Sequence, residues 1–438
     1  MRKHIPVLLI LLLYLLIGTL FTIYTPPWEA PDEPAHYNYI RQLAAGNLPV
    51  IEPGDYNQDY ISQVVFESHF DPAYPLDSMA YEDWQPPLYY LLLTPIYQLT
   101  NGSLTALRLT SLLIGAGIIV LAYAIAQHVL GQVWLASITA VFVALLPQHL
   151  AILAAINNDA LAELLIAAIL YLLVSLKADH RSPITDYRHW LTIGLLLGLG
   201  FLTKGTVYLM APVIGLALIW HYWGHWQAFW QASWRVALPA FLLGALWWGR
   251  NILVYGGLDI LGKAAHDAVV VGQPRTAEWI AQYGLTETAQ RFLQTTFNSF
   301  WGQFGWMTVP MPTWIYRPLL FFTAIIIIGL FTHVFSPRPS PLPSPPSPLP
   351  TRLLLTTFLL ALALHVGYNL TFVQHQGRYL YPALIPIGVG VAVGISVWGR
   401  PFTQRWPLAP ALLSLGFALA LAGLDLFALF RIILPNLG

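Results

Sequence analysis

Long apolar runs separated by short polar breaks dominate the chain. The runs at residues 5–24, 107–130, 134–154, 159–177, 189–203 and 205–222 each come close to the ~20 residues a helix needs to cross a bilayer. Five more follow at 234–255, 317–335, 353–372, 378–398 and 407–434. Backbone polar groups in lipid must pair within their own segment, so such runs are helices. The pattern predicts an all-α, polytopic transmembrane bundle of about 11 spans, with about 10 to 13 as the range. Residues 88–99 are ambiguous: they are apolar, about a dozen long, and opened by Pro86-Pro87, which fits an interfacial or re-entrant helix. Counting them as a span inverts the topology on one side of them.

Met1-Arg2-Lys3-His4 precedes the first run, and no small-residue cleavage site follows it, so it reads as a retained helix with its basic end in the cytoplasm. With the eleven runs as spans, Lys177, Arg181 and Arg188 share one cytoplasmic loop, Arg338 and Arg352 a second, and Arg400 and Arg405 a third, as the positive-inside rule prefers. Two long external segments result, 25–106 with interfacial helices and 256–316. The Pro/Ser-rich stretch 336–352 is expected to be a cytoplasmic linker without helix. Residues 1–400 then form one transmembrane module, to which 401–438 add a C-terminal span.

Composition narrows the classes. The chain has 438 residues, 57% hydrophobic and only 9% charged, with 20 basic and 20 acidic side chains. A zero formal charge offers no basic field for nucleic acid. The absence of cysteine excludes disulfides, thiol chemistry and thiolate-bound metals. Seventeen Trp and 22 Tyr suit interfacial belts and sugar-stacking platforms alike. No internal repeat is evident, which argues against transporter folds built from duplicated halves.

Ionisable groups are costly in such a chain, so their clustering is informative. Segment 25–106 holds eleven of the twenty carboxylates, and before Arg108 its one fixed cation is Arg41. An anionic substrate bound there must find its countercharge on other segments. Pro31-Asp32-Glu33-Pro34-Ala35-His36 lies just past the first run and reads as acid-base chemistry or as an ordinary acidic loop. Adjacent side chains diverge by about 100° on a helical backbone, so one of Asp32 and Glu33 would be a base and the other an orienting group. Partial burial would raise the base toward the working pH. His36, at i+4 from Asp32, could orient it, bind phosphate or cap a helix.

Glu82, Asp83 and Gln85 precede the Pro-Pro turn and form a site wall or an interfacial anchor. Asn157-Asn158-Asp159 interrupts two runs, as a turn with a helix cap at Asp159 or as a polar wall built from Asn158 and Asp159. Lys204, Arg250 and Arg378 stand near outer ends of runs. Snorkelling explains any one of them; three at one level facing an acidic segment make a phosphate site. The histidines lack ligand spacing, and no metal is required, although a carboxylate pair on a loop could recruit Mg²⁺ or Mn²⁺.

The order of motifs resembles the GT-C superfamily of integral-membrane glycosyltransferases. It rests on the Asp32-Glu33 pair, Pro86-Pro87-Leu88-Tyr89-Tyr90, Arg108-Leu109-Thr110-Ser111, Asn158-Asp159, Leu202-Thr203-Lys204 and Gly377-Arg378-Tyr379-Leu380-Tyr381-Pro382. Within that superfamily the chain is similar to bacterial proteins of the protein O-mannosyltransferase and lipid A aminoarabinose transferase kind, from the first helix to about residue 400. The resemblance implies a polyprenyl-phosphate-linked sugar donor, transfer at the outer face of the cytoplasmic membrane, and an aspartate of the first loop as catalytic base. Carried onto this chain, that base is Asp32, with Glu33 beside it. The family often has Lys or His just before Pro-Pro-Leu, where this chain has Gln85, which moves the phosphate role toward Lys204, Arg250, Arg378 and Tyr379. His36, Glu82, Asp83, Gln85, Arg108, Asn158 and Asp159 are then the expected site wall. The expected partners are the lipid-linked sugar, an acceptor protein, lipid or glycan, and membrane lipids, with no cofactor. A lipid-linked sugar flippase or a non-catalytic envelope protein are the competing readings; a flippase predicts charge along a midplane path, whereas here charge gathers at one face.

Overall fold

A computed structural model of the protein describes residues 4–176, 187–335 and 348–438. The described residues are predominantly helical. Helix α1 (Ile5–Tyr24) is followed by α2 (Glu33–Ala44), α3 (Gln58–Ser62) and α4 (Leu88–Leu99), and then by α5 (Leu104–Leu130), α6 (Val133–Ala144), α7 (Pro147–Leu153) and α8 (Asp159–Val174). Next come α9 (Tyr187–Phe201), α10 (Met210–His221), α11 (Trp226–Tyr255), α12 (Lys263–Val269), α13 (Thr276–Tyr283) and α14 (Leu285–Trp301). After a two-stranded antiparallel hairpin, in which Gln303 pairs with Pro310 and Phe304 with Val309, α15 (Thr313–Phe335), α16 (Pro348–Asn369), α17 (Leu384–Thr403) and α18 (Ala409–Phe427) complete the bundle.

All eleven apolar runs are helical, so this is an all-α polytopic membrane protein. Among the described residues seven helices are individually long and apolar enough to cross a membrane, or eight if one bent pair counts as a span. The sequence reading of about 11 spans is higher because α8, α9 and the stretch Gly205–His221 are helices of only 15 to 17 residues. The run 134–154 is also not one straight helix. Pro147 lacks the N–H needed to continue α6, Leu146 before it is extended (φ −78°, ψ 115°), and α7 departs at 63°. That bend carries Gln148 and His149 inward.

The linker expectation needs a correction at its end. Residues 336–347, with Arg338, lie outside the described residues, as do Lys177 and Arg181, but 348–352 open α16. Pro348 and Pro350 fall in its first turn, where a missing N–H has no intrahelical partner to lose. Residues 88–99 form the short helix α4, with Leu91, Leu92 and Leu99 exposed and Tyr90 stacked on Tyr39 of α2 at 3.8 Å and 12°. The pair α2–α4 is held by this aromatic contact and by Tyr37, whose hydroxyl donates to the Gly102 carbonyl at 2.9 Å.

One buried ion pair joins this cap to the bundle. Arg108 of α5 donates Nε to Glu33 Oε1 at 2.8 Å and Nη2 to Oε2 at 2.5 Å, with the two side chains 3% and 0% exposed. Its remaining donors reach the Thr22, Thr25 and Pro26 carbonyls that end α1. Glu33 also accepts from the Ile156 and Trp28 backbone N–H groups. Removing one partner of such a pair strands a buried charge, which costs about 3–5 kcal/mol. Arg108→Gln is therefore expected to lower the detergent melting temperature and expose segment 25–103 to limited proteolysis; wild-type melting and cleavage would contradict this role.

Candidate active site

Asp32 is the N-cap of α2 in a left-handed conformation, φ 66° and ψ −1°. An N-cap Asp ordinarily accepts a helix N–H, yet this one makes no capping bond. Its carboxylate turns out of the helix instead, accepting from Arg378 Nη2 at 2.8 Å and from the Tyr81 hydroxyl at 3.1 Å. The sparsely populated backbone conformation is a cost carried at this one position. Glu33 begins the helix proper and points the other way, into Arg108.

Arg378 arrives from the far end of the chain on the 3₁₀ turn Gly377–Ala383. Gly377 lies so close to α14 that a Cβ there would collide with the Thr296 carbonyl and the Phe300 backbone. Its N–H donates to Ser299 Oγ at 2.7 Å, and the Tyr381 hydroxyl donates to the Phe300 carbonyl at 2.9 Å. These contacts fix the guanidinium opposite Asp32. A second pair flanks the first: Lys204, extended between α9 and the turn Gly205–Leu209, places Nζ 2.7 Å from Asp159 Oδ1 at the start of α8. The Leu88 N–H, free at the start of α4, donates to the Leu202 carbonyl at 2.8 Å and ties the Pro86-Pro87 motif to the Lys204 segment. Neither pair is sealed: Asp32 and Arg378 are 24% and 10% exposed, Asp159 and Lys204 22% and 18%.

Around these four charges stand His36, Glu82, Gln85 and Asn158. Burial pushes the Asp32 carboxyl up, but the Arg378 charge and hydrogen bond, with the Tyr81 hydroxyl, outweigh it and hold Asp32 below the usual carboxylate range. Burial, reinforced by the Asp32 charge, pushes Glu82 up to about 8 against the pull of Lys204, Gln85 and Arg378. Burial likewise lowers His36 to about 3. Glu82 Oε2, Asn158 Oδ1 and Arg378 Nε are buried with no hydrogen-bond partner among the described residues. Unmet donors and acceptors of both kinds in one place suit a ligand carrying both. Among those residues no three His, Asp or Glu side chains converge as metal ligands would.

Several residues read from the sequence stand elsewhere. Glu33 and Arg108 are sealed against each other, so neither faces the open group. Arg250 bonds the Pro49 carbonyl, the Asn251 side chain and the Tyr255 hydroxyl, and stacks over Trp247 at 4.7 Å. It joins the region of Asp83, which accepts from Gln42 at 2.7 Å and is pushed by burial to about 7, and not that of Asp32. Tyr379 lies beneath the Arg378 guanidinium at 5.6 Å. Tyr90, which holds His36, belongs to the Pro86-Pro87-Leu88-Tyr89-Tyr90 motif, whereas Tyr81, which holds Asp32, carries no local mark among 22 tyrosines. Glu29, which no sequence motif marks, lines a cavity of about 30 Å³ with Pro31, Asn157 and Arg378, and burial raises it to about 7.

A family model described as dolichyl-phosphate-mannose-protein mannosyltransferase matches residues 84–248. No curated protein matches the chain significantly by sequence. Among solved structures, ArnT from Cupriavidus metallidurans in the apo state is similar at 15% identity and a TM-score of 0.54, covering 98% of this chain and 73% of ArnT. The same protein bound to undecaprenyl phosphate gives 15% identity and 0.50 over the same shares. The archaeal oligosaccharyltransferase AglB from Archaeoglobus fulgidus, in complex with an inhibitory peptide and a dolichol-phosphate, gives 14% and 0.54 over 98% of this chain and 56% of AglB. The chain thus has the GT-C fold of integral-membrane glycosyltransferases and is similar, over residues 84–248, to the protein mannosyltransferase family.

Proposed function

We propose that this protein transfers a sugar from a polyprenyl-phosphate donor to an acceptor hydroxyl at the outer face of the cytoplasmic membrane, with inversion at the anomeric carbon. The observation that carries the reading is the open Asp32–Arg378 pair beside Asp159–Lys204: a carboxylate from the first loop and two cations from later segments meet in one accessible group. The acceptor oxygen attacks the anomeric carbon, its proton passes to Asp32, and the bond from that carbon to the phosphate oxygen breaks, the lipid phosphate leaving with the electron pair. Arg378 and Lys204 receive the negative charge. Glu33 acts through the fold and not at the substrate.

The resting pairs shape this chemistry. An incoming phosphate competes with Asp32 for Arg378 and with Asp159 for Lys204, and a donor that wins Arg378 leaves Asp32 ionised, desolvated and free to accept a proton. An apolar cavity of about 680 Å³ supports a lipid-linked donor. It is lined by Leu380, two residues beyond Arg378, and by Val129 and Leu130, at the opposite end of α5 from Arg108. An isoprenoid tail fits this lining. No step needs a metal, so transfer is expected to survive EDTA; loss restored by Mg²⁺ or Mn²⁺ would contradict this.

Purified protein, radiolabelled polyprenyl-phosphate sugars and candidate acceptors test the scheme. Asp32→Asn is expected to lose transfer by about 100-fold or more while still binding donor, and Arg378→Ala to weaken donor binding by about tenfold or more. Unchanged turnover in the first, or donor movement across vesicles with no sugar transferred, would overturn the proposal. A pH series adds a check. Glu82 loses its proton as pH rises through about 8, placing a negative charge beside the phosphate site. Donor affinity should fall across that interval in the wild type and stay level in Glu82→Gln; parallel curves would remove Glu82 from the site.

A further inference from the structure

His36 sits on α2 one turn past Asp32, and its ring is 2% exposed. Its Nδ1 lies 2.9 Å from the Tyr90 hydroxyl. The direction of that bond follows from what surrounds it. Gln85 Oε1 faces Asn158. An amide oxygen only accepts, so Asn158 must turn its NH₂ toward it, at 3.4 Å, and the same group donates to the Tyr90 oxygen at 3.3 Å. Tyr90 is fully buried and stacked on Tyr39, and His36 Nδ1 is the acceptor within reach of its proton. Nδ1 therefore accepts.

A neutral imidazole has one N–H, and with Nδ1 accepting it is on Nε2. The ring is neutral because burial disfavours its charged form, and because Lys204 and Arg378, also near it, oppose the carboxylates of Asp32 and Asp159. Nε2 has no hydrogen-bond partner among the described residues. Both nearby carboxylates are already engaged, Asp32 by Arg378 and Asp159 by Lys204. An N–H donor beside two cations, with no acceptor of its own, suits an oxygen of the anion that those cations bind.

We infer that His36 is a further catalytic residue: a neutral Nε2–H donor to the phosphate of the lipid-linked donor, fixed in that tautomer by the chain Gln85, Asn158, Tyr90. It supplies a hydrogen bond to the departing phosphate without adding charge or surrendering its proton. This rests on the transferase reading for the identity of the anion; the tautomer rests on the hydrogen bonds alone.

The test uses the full-length protein in lipid nanodiscs with ¹⁵N-labelled histidine, His36 being assigned by difference from His36→Gln. The expected result is an unprotonated Nδ1 and a protonated Nε2 that do not titrate between pH 5 and 8, an Nε2–H signal that shifts on adding undecaprenyl phosphate, and a mixed tautomer in Tyr90→Phe. A protonated Nδ1, titration within that interval, or measurable lipid-phosphate binding with no shift at Nε2 would overturn the inference. His36→Gln, which keeps an N–H near the Nε2 position, should hold lipid-phosphate affinity within about threefold, whereas His36→Leu should lose about tenfold. Equal losses in the two would also overturn it. If the wild type binds no polyprenyl phosphate, or binds it and transfers no sugar, the transferase reading fails instead.

Discussion

All five N–H donors of the Arg108 guanidinium are committed, two to Glu33 and three to the carbonyls of Thr22, Thr25 and Pro26. Those carbonyls end α1, where a helix leaves acceptors unpaired and where its dipole favours a cation. Glu33 in turn takes the Ile156 N–H from the loop between α7 and α8. A single side chain of α5 thus fixes the exit of the first span, the start of α2 and the turn that leads to Asn158 and Asp159. Because Glu33 must point into the bundle to meet it, Asp32 must point out. The direction of the proposed base follows from a bond that its neighbour makes.

The two ion pairs at the open group follow a different logic from the sealed one. Glu33–Arg108 excludes water and has every lone pair and proton occupied, so it cannot exchange partners without stranding a charge. Asp32–Arg378 and Asp159–Lys204 remain partly exposed, and Arg378 Nε is left without a partner among the described residues. Such pairs can be rearranged by a ligand that offers equal compensation. Adjacent residues therefore serve opposite ends, one holding the fold and the other available to substrate.

Much of this was legible in the sequence because ionisable groups are expensive in an apolar chain. Asp32, Lys204, Arg378 and Asp159 stand out for that reason, Asn158 stands out as part of the polar break beside Asp159, and the structure brings them together. Sequence spacing said that Asp32 and Glu33 diverge, yet it could not say which one Arg108 would claim, since that depends on a contact across 75 residues. Arg250 was misplaced by the same limit: proximity to an apolar end shows depth and not the neighbour on the next helix. Tyr81 is hidden by composition, because in a chain with 22 tyrosines only the bond it makes distinguishes it, and the motif that contains Tyr90 does not show that its hydroxyl meets His36. The break at Pro147 was readable in principle, but the apolar run through it looked continuous.

The remaining polar groups show why the hydrogen-bond chain through Gln85 takes the form it does. A Lys or His before Pro86 would add charge to a group in which two cations already balance two carboxylates. Gln85 adds none, and its amide oxygen gives the network a direction by accepting from Asn158. Through Asn158 and Tyr90 that direction reaches His36, so a neutral residue at 85 sets the proton position on a ring it does not touch. Recognition of an anion can therefore be shared between two charged side chains, which carry the attraction, and a neutral network, which fixes geometry without altering the balance of charge that keeps Asp32 ionised.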